Sequence, residues 1–385
     1  MEYKKIIELT TVVTGGTPST EKREYWDNGS IPWLQSGCCQ NCEVNSAGKY
    51  ITQEGYDNSS TRMMPADTVM IALTGATAGK VGYLNFAACG NQSITGILPC
   101  GALNQRYLFY YLISQRHKIL ADCVGGAQAH ISQGYVKNIK VPVLSLVEQE
   151  QVVEVLTQLN NIISMRRKEI GLLDTLVKSR FVELFGDPVI NSRGWKKALI
   201  GDDCFVTKLA GFEYTQYINY EDSGDVVMVK AQNVKNGKLN RKELSFVSNE
   251  VSDSLPRSQL APGDVVMTYV GANIGDVAII DNEYKYHLAP NVAKIRPDSE
   301  RYNSIYFMYM LMLLNAYIVK NSADTAKAAL GMERIRKLNV FVPPMELQNQ
   351  FADFVTSIDK SKSKIQKSLE ETQLLFDSLM QKYFG

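Results

Sequence analysis

Two long stretches constrain this chain more than any other feature. Residues 148–185 contain no proline and one glycine, Gly171. Their apolar residues recur at steps of four and three: Val152, Leu156, Leu159, Ile163, then Ile170, Leu173, Val177 and Leu184. Arg166 and Arg180 fill the two remaining stripe positions. That is a heptad seam rather than the stripe of an ordinary surface helix. If helical throughout, the stretch runs about 57 Å at 1.5 Å per residue, and a rod that long needs a partner. The chain supplies one. Residues 347–384 carry a matching seam of Phe351, Val355, Ile358, Ile365, Leu369, Phe376, Leu379 and Tyr383, with Lys362 and Thr372 as polar breaks.

What precedes each helix also repeats. From Asn104 and Asn303 onward the two halves run at a constant offset of 199 positions without a gap. Tyr107 pairs with Tyr306, Tyr110 with Tyr309, Ile119 with Ile318, Val141 with Val340, Gln149 with Gln348, Lys168 with Lys367 and Phe185 with Phe384. Internal repetition settles the architecture as globule, long helix, globule, long helix. The expected segments are 1–145, 146–187, 188–344 and 345–385. The expected fold class is α+β: two similar mixed α/β globules separated by two long antiparallel helices, an intramolecular coiled coil with a pseudo-two-fold internal repeat.

Within the first globule, Val12-Val13-Thr14 leads into Gly15-Gly16-Thr17-Pro18-Ser19, a turn expected to need glycine backbone freedom. A strand at Ile31 to Leu34 runs into a loop at Gln35 and Ser36. A second strand at residues 67–73 ends in the loop Thr74-Gly75-Ala76-Thr77-Ala78-Gly79-Lys80. A helix near residues 107–120 and a polar loop at 125–132 follow, then a short strand at 139–143. The second globule replaces these with Val226 to Ala231, residues 262–270 and Gly271-Ala272-Asn273-Ile274-Gly275-Asp276. The first long helix stops at Phe185-Gly186-Asp187-Pro188, glycine then proline being a helix terminator.

Composition narrows the function. No apolar run approaches the ~18 residues of a membrane span, and the N-terminus lacks a signal-peptide core. Seven cysteines without a secretion signal point to reduced thiols and a cytoplasmic location. The net charge is +1, low for a chain that binds DNA unaided. Either it does not bind nucleic acid, or partners supply much of the phosphate neutralisation. Two similar globules on a rod, with B-DNA repeating about every 34–36 Å, suit reading two half-sites on one face of a duplex. Globules that share a frame and differ in side chains suit an asymmetric, split target.

The run Gly15-Gly16-Thr17-Pro18-Ser19, the Gly-Ala-x-x-Gly loops, the Glu148-Gln149 helix start and Leu184-Phe185-Gly186-Asp187-Pro188 with Asn191 and Gly194-Trp195 together resemble the specificity (S) subunit of type I restriction–modification enzymes, the HsdS family. The resemblance covers essentially the whole chain, twofold repeat included. It implies two target recognition domains, each reading half of a bipartite double-stranded DNA site, and two helical regions that set the spacing and dock two methyltransferase (M) subunits. Restriction (R) subunits join that complex. It implies no catalysis and no cofactor in this chain, with S-adenosylmethionine, ATP and magnesium held by the partner subunits. The candidate docking residues are the basic ones on the helices: Arg166, Arg167, Lys168, Lys360, Lys364 and Lys367. The second globule departs from the pattern, with Lys208-Leu209-Ala210-Gly211-Phe212 in place of the Gly-Gly-Thr-Pro turn and no Glu-Gln pair at its helix start.

Base readout needs side chains with paired donors and acceptors on loops that reach a groove. Loop residues just after strands are the candidates: Thr17, Gln35, Ser36, Thr74, Thr77, Lys80, Gln128 and His130 in the first globule, and Lys230, Gln232, Asn233, Asn273 and Lys327 in the second. The bland alternative for each is a solvated loop residue. Other chemistries fail on spacing. The loop 75–80 is one residue short of a P-loop, lacks the following Ser or Thr, and has Asp276 for Lys80 in its repeat. Cys39-Gln40-Asn41-Cys42 lacks the second cysteine pair of a zinc site. Glu283-Tyr284-Lys285 lacks the Pro-Asp partner of a nuclease, and no amino-methyltransferase tetrapeptide is present. The remaining readings are a specificity subunit of a bipartite type II system with fused restriction and methylation, or a coiled-coil scaffold with no role in DNA recognition.

Overall fold

The computed structural model describes residues 2–122, 130–322 and 330–385. Two continuous helices dominate it, Leu146–Phe185 and Met345–Phe384. The first opens on a capping box: the Ser145 amide donates to Glu148 Oε2 at 2.9 Å, and the Glu148 amide donates back to Ser145 Oγ at 3.3 Å. It closes at Gly186, whose φ of +79° permits the left-handed residue that ends a helix. The chain divides into two compact units, one formed by Met1–Arg167 with Lys367–Gly385, the other by Lys168–Gln366. Each unit therefore takes one globule and a portion of both long helices.

In the first unit, Val152 and Leu156 from the start of the first helix share a core with Phe376, Leu379, Met380 and Phe384 from the end of the second. In the other unit, Val177, Phe181 and Phe185 share a core with Phe351 and Val355. The helices are thus antiparallel within each unit. Three of the four polar breaks of the seam, Arg166, Thr372 and Lys362, are bonded across the pair, while Arg180 pairs with Glu183 on its own helix. Arg166 donates to the Ser368 carbonyl at 2.7 Å and to Thr372 Oγ1 in the first unit, and Lys362 pairs with Asp174 in the second. Arg166 thus meets a carbonyl and a hydroxyl, and Lys362 a carboxylate, so neither donor is left unmet in the seam.

The globules hang on sheets with one plan. The first has a five-stranded sheet ordered Val12–Thr14, Ile94–Ile97, Thr68–Ala72, Val81–Leu84, Cys42–Val44, beside a three-stranded one. The second has the four-stranded sheet Cys204–Lys208, Val292–Pro297, Val265–Thr268, Val277–Ile279, beside another of four strands. The repeat extends to individual bonds. Gln149 and Gln348 are both fully buried, and each carboxamide oxygen accepts an amide 45 residues upstream at 2.8 Å, from Asn104 and from Asn303. Tyr107 and Tyr306 donate to the carbonyls of Pro142 and Phe341 at 3.1 and 3.2 Å. Phe384 packs on Tyr107, and Phe185 on Tyr306, with ring centroids 5.3 and 4.6 Å apart. Burying such polar groups without partners would cost about 1–3 kcal/mol each, so the paired bonds fix the helix starts.

The second unit also buries His287 completely, with Nδ1 at 3.0 Å from the Leu288 carbonyl. Burial pushes this imidazole below its ordinary value near 6.5; the Lys294 ammonium lowers it further and Glu213 opposes that. The neutral ring is favoured in the fold, so its contribution to stability is present above about pH 6.5 and lost as pH falls below it. The melting temperature of the second unit is expected to drop between about pH 7 and 5.5, and less so in His287→Gln. Equal slopes for both proteins would refute the assignment.

Candidate nucleic-acid interface

The candidate reading residues of the first unit lie on loops sewn together by backbone bonds. The Gly16 amide donates to the Gly90 carbonyl at 2.8 Å, Asn91 to Leu34 at 2.9 Å, Leu73 to Ser93 at 2.8 Å and Ile131 to Leu73 at 2.8 Å. The loops after Val12–Thr14, Ile31–Leu34 and Thr68–Ala72 therefore meet residues 90–93 and 130–131 along one rim. Thr17 and Gln35 are exposed there, Ser36 is half-buried, and a bridge pairs Thr74 with the exposed His130. Lys80 Nζ donates to Gln40 Oε1 at 2.6 Å, which ties the loop 75–80 to the loop after Leu34. Thr77 is half-buried, its hydroxyl turned to the Thr74 carbonyl at 3.4 Å. Gln128 and Lys327 lie outside the described residues.

Glycine has two different jobs on this rim. Gly75 and Gly79 have φ of +71° and +72°, the left-handed region that favours glycine. Gly15 and Gly16 do not, contrary to the expectation for that turn. They are needed for close approach: a Cβ on Gly15 would lie 2.1 Å from the Gly90 carbonyl oxygen, and one on Gly16 2.3 Å from Ser60 Oγ.

The second unit builds the same rim. Ala72 and Thr268 donate to the carbonyls of Lys80 and Asp276 at 3.0 and 2.9 Å; Ile131 and Leu330 donate to those of Leu73 and Tyr269 at 2.8 Å each. Gln232 and Asn273 are exposed on it. Lys230 is half-buried and engaged, its Nζ donating to Ser245 Oγ at 2.8 Å and standing 5.6 Å from the Tyr220 ring centroid. Asn233 does not fit a reading role. It is 2% exposed; its Oδ1 accepts the Lys230 amide at 3.1 Å and its Nδ2 donates to the Asn240 carbonyl at 2.9 Å. A carboxamide spent on its own turn has nothing left for a base edge. Asp276, which stands where Lys80 stands, is half-buried; burial raises its carboxyl pKa, and Asn315 Nδ2 is 3.4 Å away.

Sequence reasoning missed Gln92, which is exposed and accepts from Thr17 Oγ1 at 2.5 Å. It follows a two-residue strand, Cys89–Gly90, too short to show a period. It also missed the exposed Phe212, Tyr217 and Tyr220. On the helices, Arg166 is consumed within the pair, whereas Lys168, Lys360, Lys364 and Lys367 are exposed; Arg167 is exposed and also donates to Gln373 Oε1 at 3.2 Å. Of the cysteines, Cys38 is half-buried, Cys39 buried and Cys42 exposed, all as free thiols. Among the described residues no group of three His, Cys, Asp or Glu is placed to hold a metal, and no helix is long and apolar enough to cross a membrane.

A family model described as the type I restriction modification DNA specificity domain matches residues 1–172 and again 193–372. The chain belongs to that family. Both halves match it separately, as the repeat requires. Family members supply specificity, not catalysis, and this chain is a non-catalytic specificity subunit of a type I restriction–modification system. The MjaIX specificity subunit of Methanocaldococcus jannaschii is 22% identical over 99% of this chain and 92% of its own length. The EcoR124I/EcoR124II specificity subunit of Escherichia coli is 31% identical over 42% of this chain, a match that spans 41% of that relative. The S subunit from M. genitalium has the same fold, with a TM-score of 0.61 at 15% identity, over 100% of this chain and 96% of that one.

Proposed function

We propose that each globule of this specificity subunit reads one half of a bipartite, asymmetric duplex DNA site, while the long helices set the spacing and carry two methyltransferase subunits. Residues 1–145 and 188–344 are then the two target recognition domains. One observation carries the reading: the two rims share their backbone bonding but present different side chains. Thr17, Gln35, Gln92 and His130 stand on one, Gln232 and Asn273 on the other. A common frame with unlike donors and acceptors is what two different half-sites call for. The first helix has 40 residues, about 60 Å at 1.5 Å per residue, which exceeds one turn of B-DNA. Lys80 and other basic residues near the loops add phosphate contacts, which bring salt dependence rather than sequence choice.

The test is the methylation pattern of a host genome expressing this chain with its methyltransferase subunit. Two short specific blocks around a fixed unspecified gap, with one modified adenine per strand, support the proposal. One continuous block would refute it.

Surfaces that are alike in both halves suit a partner present twice. Leu176 and Leu375 occupy equivalent positions and are 46% and 51% exposed; Lys168 and Lys367 are likewise equivalent and exposed. These pairs are the proposed docking positions, with Lys360, Lys364 and Arg167 around them. Burying a leucine is worth about 1.5–3 kcal/mol. Leu176→Lys is therefore expected to weaken one of two methyltransferase binding events at least ten-fold, and the double variant with Leu375→Lys both of them. Calorimetric titration counts the sites; two undiminished sites in the double variant would exclude this surface.

A further inference from the structure

We infer that Phe212 is a wedge that inserts between stacked bases of the half-site read by the second unit; this rests on the bipartite reading above. Its ring is 67% exposed, and Tyr217 and Tyr220 nearby are 41% exposed each. The first unit has no counterpart. There Val12–Thr14 leaves its sheet at the Thr14–Thr95 pair and enters the close-packed Gly15-Gly16 turn. Here Cys204–Lys208 leaves its sheet at the corresponding Lys208–Ala293 pair and enters a short helix, Gly211–Tyr217, with Phe212 in its first turn.

The helix is held fast while the ring is held out. Leu209 before it is buried. The Ala210 amide donates to Glu213 Oε2 at 2.8 Å, and Arg257 pairs with Glu213 Oε1 at 3.2 Å. The Glu213 side chain is only 13% exposed. Phe212 is therefore presented from a braced element, which lowers the entropic cost of using it. The strand ends of this rim carry cations: the exposed Lys208 four residues before Phe212 and the half-buried Lys230 after Val226–Val229. Lys208 Nζ is 5.4 Å from the Tyr269 ring centroid and Lys230 Nζ 5.6 Å from that of Tyr220. An exposed apolar ring on a rim whose strand ends carry lysines matches a base step flanked by phosphates better than it matches an apolar protein groove. Proteins that bend DNA insert phenylalanine in this way, unstacking one step and kinking the duplex.

The experiment uses the full chain assembled with its methyltransferase subunits, on duplexes carrying the methylated motif. 2-Aminopurine is placed in turn at each position of the second half-site, away from the methylated adenine. The wild-type complex is expected to brighten the probe at one step. Phe212→Ala is expected to abolish that rise and weaken binding about five- to a hundred-fold, the range for losing one ring–base stack. Phe212→Leu keeps an apolar wedge and should retain most of both. A rise that survives Phe212→Ala overturns the wedge, as does tight wild-type binding with no bright step. Loss of a methyltransferase subunit from the Phe212→Ala complex would mean that the ring contacts protein, and also overturns it. A wild-type complex that fails to distinguish the motif from a scrambled duplex removes the bipartite reading itself, and the wedge with it.

Discussion

Replacing Phe181 by alanine is expected to cost the second unit about 3–5 kcal/mol, the usual range for deleting a buried aromatic ring. Phe181 is 1% exposed. Its ring lies 4.9 Å from Phe185, 5.4 Å from Phe351 and stacked 5.6 Å from Tyr306, centroid to centroid. These rings come from the end of the first long helix, the start of the second and the helix Ser304–Ser322. One substitution therefore opens a cavity where three helices meet, and side chains fixed by their own helices cannot collapse into it. Amide hydrogen exchange reads the opening of each helix separately. The measurement is therefore amide hydrogen exchange, with faster exchange expected across Ser304–Ser322 and the first turns of Met345–Phe384. Phe181→Leu should lose much less. Unchanged exchange in Phe181→Ala would show that the cluster does not hold these helices together.

The other large effect concerns specificity. Gln35→Ala with Gln92→Ala is expected to relax one half of the methylated motif and leave the other half intact. Each bidentate contact to a base edge is worth about 1–3 kcal/mol of discrimination, so two lost contacts remove on the order of 2–6 kcal/mol. Both side chains are exposed, so stability should scarcely change. Sequencing the modified adenines reads the outcome directly. Relaxation in both halves, or in neither, would refute the assignment of this rim to a single half-site.

Much of the proposed reading surface was legible early because strand ends and glycine loops are local signals. The loop 74–80 and its repeat at 270–276 announce themselves by Gly-Ala-x-x-Gly alone, and the structure gives the glycines the positive φ values that explain the pattern. Gln92 was not legible. It reaches the rim because Asn91 bonds to Leu34, 57 residues away, and Thr17 bonds to Gln92, 75 residues away. Asn233 failed in the opposite direction. Its sequence position resembles that of an exposed loop carboxamide, yet the chain folds its own turn around it.

The sequence by itself determined the repeat, both long helices and the family, because each is written as a period along the chain. Heptad spacing needs only neighbours three and four residues away, and a constant offset needs only comparison of the two halves. The tertiary structure alone decided which side chains face outward together. It turned Arg166 and Lys362 into bonds across the helix pair, made the glycines of the first turn a matter of close approach, and left Phe212 exposed on a braced helix. Those outcomes depend on strand pairings and packing between residues tens to hundreds of positions apart, and no local pattern encodes such distances.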